Sequence, residues 1–184
     1  MRLLSCALFA LTATLVAHAD DFKIEAGFTP LFNGKDLTGW KTKRSKDKPG
    51  DSLDGKTSAY DGRFVVKDGE LVYDPKVKGD RYIETAKEYS GDVTVKFQFK
   101  PGEGCNNDLL FRGAKFDIKT PDIKELKSDT WYEMEVVLKG TKAEFKVNGQ
   151  SIKTLDAKVE KGPFTLRAEF EAITVRRMRI KEGG

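Results

Sequence analysis

Histidine and cysteine are almost missing from this sequence, which has one His and two Cys among 184 residues. His18 and Cys6 both fall near the start, where Arg2, Leu3 and Leu4 lead into an apolar run from Ala7 to Ala17 and a small-x-small site, Ala17-His18-Ala19, before Asp20-Asp21. That order is the pattern of a secretory signal peptide, so residues 1–19 are expected to be cleaved and residues 20–184 to be exported to a periplasmic or extracellular location. Leu3-Leu4-Ser5-Cys6 precedes the apolar run instead of following it, which argues against a lipid anchor at Cys6. Without the leader no histidine remains and Cys105 is the only thiol. A Ser-His-Asp triad, a Cys-His pair, a histidine-ligated zinc and an internal disulfide are thereby excluded. Oxygen and amine chemistry is what remains to the mature chain.

A long hydrophobic run is also lacking: the leader is too short to span a bilayer, and no later stretch approaches the roughly 20 apolar residues a membrane helix needs. Charge of one sign is scarce in excess, with 33 Lys and Arg against 29 Asp and Glu. This near-balance gives no electrostatic footprint for nucleic acid. Lys41, Lys43, Arg44, Lys46 and Lys48 do cluster, but Asp47, Pro49, Gly50 and Asp51 interrupt them, as in a solvated loop. Residues 20–184 suit one domain with a sizeable core, and no repeat or linker divides them. Nothing in the sequence sets the oligomeric state.

What is present is alternation. From Asp92 to Lys100, Val93, Val95, Phe97 and Phe99 face one way and Thr94, Lys96, Gln98 and Lys100 the other, which predicts a half-buried strand. The same period appears at Tyr132, Met134, Val136 and Leu138, at Ala143, Phe145 and Val147, and at Phe164, Leu166 and Ala168. Asp68-Gly69 and Asn148-Gly149 each separate two such runs and predict tight hairpins. Near the end, Ile173 and Val175 share a face but Met178 and Ile180 resume only after an extra residue, predicting a bulge across Arg176-Arg177. Residues 121–128 read as a loop. About eleven short strands at this spacing predict an all-β fold, a sandwich of two antiparallel sheets.

The stretch Gly27 to Lys41 sets Phe28, Leu31, Phe32, Leu37 and Trp40 around an Asn33-Gly34 turn. It resembles the opening of the DUF1080 family, the 3-keto-disaccharide hydrolase or 3-keto-glucoside lyase/hydratase domains, which have a concanavalin-like jelly-roll fold. Trp131-Tyr132-Glu133 through Val147-Asn148-Gly149 is similar to the family's tryptophan strand and hairpin, and Gly162-Pro163 through Ile180 to its closing strands. Asn106-Asn107-Asp108-Leu109-Leu110-Phe111-Arg112 stands where the family has an Asn-Ser-Gly-apolar-aromatic-Leu-Arg strand. Three polar positions depart from the family pattern: Glu169 stands at its histidine, and Lys115 and Asp117 at its glutamate and glutamine.

The resemblance implies activity on 3-keto-glycosides by elimination and hydration, a carbohydrate ligand, and a site built from these segments. Period-two geometry sets Asp108, Leu110 and Arg112 on one face and Lys115, Asp117 and Lys119 on one face of the next strand, with Gly113-Ala114 as the corner. Asp117 and Glu169 are the candidate bases, Lys115 or Arg112 the candidate charge for an enolate, and Asn106, Asp108, Arg112 and Arg167 the candidate sugar contacts. Tyr73, Tyr82 or Trp131 would supply an aromatic wall, although Trp40 and Trp131 read first as core anchors. Oxygen ligands at Asp108, Asp117 and Glu169 would suit a hard divalent cation, which no spacing requires. The same face also fits a carbohydrate-binding module without catalysis, or a solvated surface of cross-strand charge pairs.

Overall fold

Alternation governs the backbone throughout. The structure, a computed structural model, describes residues 22–43 and 48–183. The expected signal peptide and the middle of the basic run, residues 44–47, lie outside the described residues. Fourteen strands follow in order: β1 (Thr29–Pro30), β2 (Trp40–Thr42), β3 (Ser58–Ala59), β4 (Phe64–Lys67), β5 (Glu70–Tyr73), β6 (Arg81–Thr85), β7 (Val93–Pro101), β8 (Asn106–Phe111), β9 (Ala114–Ile118), β10 (Tyr132–Lys139), β11 (Lys142–Val147), β12 (Gln150–Asp156), β13 (Phe164–Phe170) and β14 (Ile173–Glu182). Among the described residues there is no helix, and residues 121–128 consist of turns, a bend and irregular backbone.

The strands make two antiparallel sheets, as the pattern predicts for a jelly-roll sandwich. The nine-stranded sheet runs β12-β11-β10-β7-β14-β5-β4-β3, with β1 paired to β14, and the five-stranded sheet runs β2-β6-β13-β8-β9. Both expected hairpins form: Asp68-Gly69 and Asn148-Gly149 take positive φ at both positions, as a two-residue turn between right-twisted strands requires. The bulge in β14 is also found, with Arg176 opposite Gln98 but Arg179 opposite Lys96.

The apolar faces of the two sheets meet in one continuous core. Phe164 of β13 sits at its centre, with ring centroids 5.6 Å from Phe111, 6.1 Å from Phe97 and 6.4 Å from Trp40. Phe116 of β9 stacks on Phe145 of β11 at 4.9 Å, joining one sheet to the other. Such ring pairs add about 0.5–1.5 kcal/mol each beyond the area they bury. The opening motif closes one side: Phe32, Leu37 and Trp40 are buried, the indole Nε1–H donates to the Leu31 carbonyl at 3.0 Å, and Asn33 Oδ1 accepts the amides of Lys35 and Asp36. Phe28 is only half-buried, beneath Lys96 and Arg179.

Two aromatic assignments change. Trp131 is not a core anchor: it precedes β10, remains half-buried, and carries the Arg176 guanidinium 3.8 Å above its ring. Tyr73 is a core residue, 2% exposed and packed on Phe64, so it cannot wall a sugar site.

Candidate functional site

Three adjacent strands of the smaller sheet, β13, β8 and β9, bring the charged residues together. Leu166, Ala168, Leu109, Phe111, Phe116 and Ile118 are buried inward, so period-two geometry turns Arg167, Asp108, Lys115 and Asp117 to the other face. Register sets Arg167 opposite Asp108, and Asp108 opposite Asp117. Five of the expected site residues therefore converge: Asp108, Lys115, Asp117, Arg167 and Glu169.

Their contacts form one network. Lys115 Nζ lies 2.6 Å from Asp117 Oδ1 and 3.2 Å from Asp108 Oδ2. Arg167 reaches Asp108 Oδ2 at 2.5 Å, Glu169 Oε2 at 2.9 Å and, from the loop before β6, Asp80 Oδ2 at 2.5 Å. Four acids thus share two cations. Tyr82 on β6 lies opposite Arg167 in register, with the guanidinium 5.4 Å from its ring centroid. Of the three aromatic walls anticipated, Tyr82 is the one beside the cluster.

The two facing aspartates behave differently because their surroundings do. Asp108 has a fully covered side chain, and burial pushes its carboxyl up, helped by the hydrogen bond it shares with Asp117 and only partly opposed by Arg167 and Lys115. Burial would also raise Asp117, but the Lys115 ammonium and the bond to Asp108 outweigh it and hold that carboxylate low. As pH falls Asp108 is therefore the member of the pair that takes a proton first, and its Oδ1 is buried without a protein donor. Glu169 is raised, by burial first and then by the charge of Asp108. Burial works against the charge on Lys115, but its two carboxylates win and keep it protonated.

Glu169 also borders a hollow of about 280 Å³ lined by Arg63, Lys78, Asp80 and Phe170. Its position is fixed from beneath by two buried polar side chains. Asn107 accepts the Glu169 amide at 2.8 Å and donates to the carbonyls of Phe170 at 2.9 Å and Glu171 at 3.3 Å. Arg63 donates to the carbonyls of Asp74 at 2.6 Å and Glu169 at 2.9 Å. Sequence reading missed Arg63, Asp80, Asn107 and Phe170. Asn107 had a signal, a polar residue at an inward parity inside the candidate strand; Arg63 and Asp80 come from distant segments and had none.

Asn106 and Arg112 do not join the cluster. The corner between β8 and β9 is Arg112-Gly113, both with positive φ, instead of Gly113-Ala114. Arg112 therefore leaves the strand before alternation could place it beside Asp108. Its guanidinium is buried and donates to the Gly91 carbonyl at the far end of the sheet. Asn106, at the other end of β8, borders a separate hollow of about 360 Å³ with Cys105 and Lys119. The Cys105 thiol is buried and raised by that burial, as in an inert side chain. Asp108, Asp117 and Glu169 do not form a cation cradle: each is engaged by Lys115 or Arg167, and among the described residues no three acids converge as metal ligands would.

Residues 27–126 match the model of the 3-keto-alpha-glucoside-1,2-lyase-like domain. The chain belongs to this family. The chain is similar to a Parabacteroides distasonis protein provisionally described as a glycosyl hydrolase, with 19% identity, a TM-score of 0.64, and coverage of 86% of this chain and 95% of that one. A second protein so described, also from Parabacteroides distasonis, has 16% identity and a TM-score of 0.55, covering 78% of this chain and 99% of that one. The carbohydrate binding module CBM66 from Bacillus subtilis gives 15% identity and a TM-score of 0.53, covering 84% and 100%. At these identities the likenesses establish the shared fold. No curated protein matches the chain by sequence.

Proposed function

We propose that this protein is an exported, sugar-active domain that cleaves 3-keto-glycosides by elimination and hydration, with Glu169 as the general base. The observation that carries the reading is the position of Glu169: a carboxylate that burial raises above the ordinary glutamate value, beside Arg167, at the edge of a hollow. A ketone at sugar carbon 3 acidifies the hydrogen at carbon 2. Glu169 removes it, and a base held closer to working pH does so more efficiently than one held low. Asp117, kept low by Lys115, is the weaker choice. The developing enolate oxygen needs positive charge, which Arg167 supplies next to the base. The bond from carbon 1 to the glycosidic oxygen then breaks, and the proton that Glu169 took from carbon 2 passes to the leaving oxygen, directly or through water. Addition of water to the enone completes net hydrolysis.

A second reading, a carbohydrate-binding module without turnover, is favoured by one feature: Asp108, Asp117 and Glu169 are all ion-paired already. Mixing the protein with a 3-keto-glucoside and following enone absorbance separates the two. The lyase reading expects absorbance to rise in proportion to protein. Saturable sugar binding with no enone would replace it with the binding module.

A further inference from the structure

Phe170 faces the wrong way for its place in the chain. Phe164, Leu166 and Ala168 are buried inward along β13, so strict alternation would bury Phe170 as well. It is instead 56% exposed. The cause is a bulge: Arg167 pairs with Asp108 and Phe170 with Asn106, so Ala168 and Glu169 together oppose the single residue Asn107. An extra residue reverses the side-chain parity beyond it.

The bulge is built by buried polar groups. Asn107 and Arg63 are each 1% exposed, and between them they bond the amide and carbonyl of Glu169 and the carbonyls of Phe170 and Glu171. Folding gains nothing from turning a large apolar ring into water, and strand bulges often serve to re-aim a side chain beside a site. Here the re-aimed ring lines the hollow that Glu169 borders.

We infer that Phe170 is the stacking platform of a single-ring sugar subsite in this hollow, recognising the apolar face of one uncharged pyranose. The inference rests on the sugar-active reading above. Size supports one ring: at about 280 Å³ the hollow lies just below the roughly 300 Å³ at which ligand pockets begin. Charge supports a neutral sugar, because Arg63 and Lys78 are offset by Asp80, Glu169 and Glu171 around the same walls. An acidic sugar would meet those carboxylates. Flat rings take the C–H face of a pyranose while polar side chains at the rim take its hydroxyls.

The test is calorimetric titration with methyl 3-keto-glucopyranoside and with the corresponding uronate bearing a free 6-carboxylate, on wild type, F170A and F170Y, accompanied by saturation-transfer NMR. The expected result is that F170A weakens binding of the keto-glucoside by about threefold to tenfold, the scale of one ring contact. F170Y should retain the affinity, the uronate should bind more weakly, and transfer should link Phe170 ring protons to one face of the sugar. Equal affinity of F170A and wild type, or binding without transfer to Phe170, overturns the subsite and leaves the lyase reading standing. Failure of wild type both to bind and to turn over the keto-glucoside overturns both.

Discussion

Asp108 and Asp117 face each other across β8 and β9 with one ammonium, that of Lys115, bridging them. Burial raises the Asp108 carboxyl; it would raise Asp117 as well, but Lys115 and the bond to Asp108 hold that carboxylate low. Replacing Asp117 with Asn removes the like charge that helps to raise Asp108, so the D117N variant should titrate Asp108 at lower pH than wild type does. Carboxyl carbon NMR across a pH series reads this shift. An Asp108 titration that does not move would mean that burial alone sets it.

The bulge that carries Glu169 and Phe170 hangs on Asn107. Asn107→Ala strands one amide and two carbonyls of residues 169–171, and unsatisfied buried groups cost about 1–3 kcal/mol. Denaturant unfolding should show a loss in that range. Hydrogen exchange should show the Glu169 amide losing protection before those of the neighbouring strands.

The two tryptophans should respond unequally. Trp40 is fully buried against Phe164, and its truncation to Ala should cost about 3–5 kcal/mol. Trp131 lies under Arg176 outside the core, and a surface cation–ring contact is worth about 0.5–1 kcal/mol. Denaturant midpoints of W40A and W131A measure the difference. Equal losses would return Trp131 to the core.

Acid should loosen the segment before β1. Arg179 holds the Glu25 carboxylate with bonds of 2.5 and 2.7 Å, and the first of the causes, that hydrogen bond, lowers Glu25 to about 2. A depressed carboxylate stabilises the fold above its ordinary value of 4.5 and loses that contribution as pH falls toward about 2. The Glu25 side chain is 43% exposed, so solvent screening limits the effect to about 1 kcal/mol. E25Q should therefore be less stable than wild type near neutrality, with the gap closing between pH 4.5 and pH 2.

What could be read in advance was what local chemistry decides. Asp68-Gly69 and Asn148-Gly149 tolerate the left-handed conformation their turns demand, and the broken parity at Arg176-Arg177 declared its own bulge. The convergence of Asp108, Lys115, Asp117, Arg167 and Glu169 followed from period two together with family order. Arg112 was misplaced because nothing about an arginine announces a left-handed turn position, yet it takes φ 46° and starts the corner one residue early. Phe170 was invisible as a site residue for a different reason: its exposure depends on Asn107 and Arg63, which act across 63 and 106 residues of sequence. Long-range polar bracing leaves no periodic trace.

The most direct test of Glu169 as base is the rate of enone formation from a 3-keto-glucoside by wild type and E169Q, measured against pH. Loss of a positioned general base should lower kcat/KM by about 10²–10⁴. The wild-type rate should fall on the acid side through a pKa above that of an ordinary glutamate, because burial raises Glu169 and only its charged form accepts the proton. An E169Q variant that keeps the wild-type rate and the same acid limb would contradict the account.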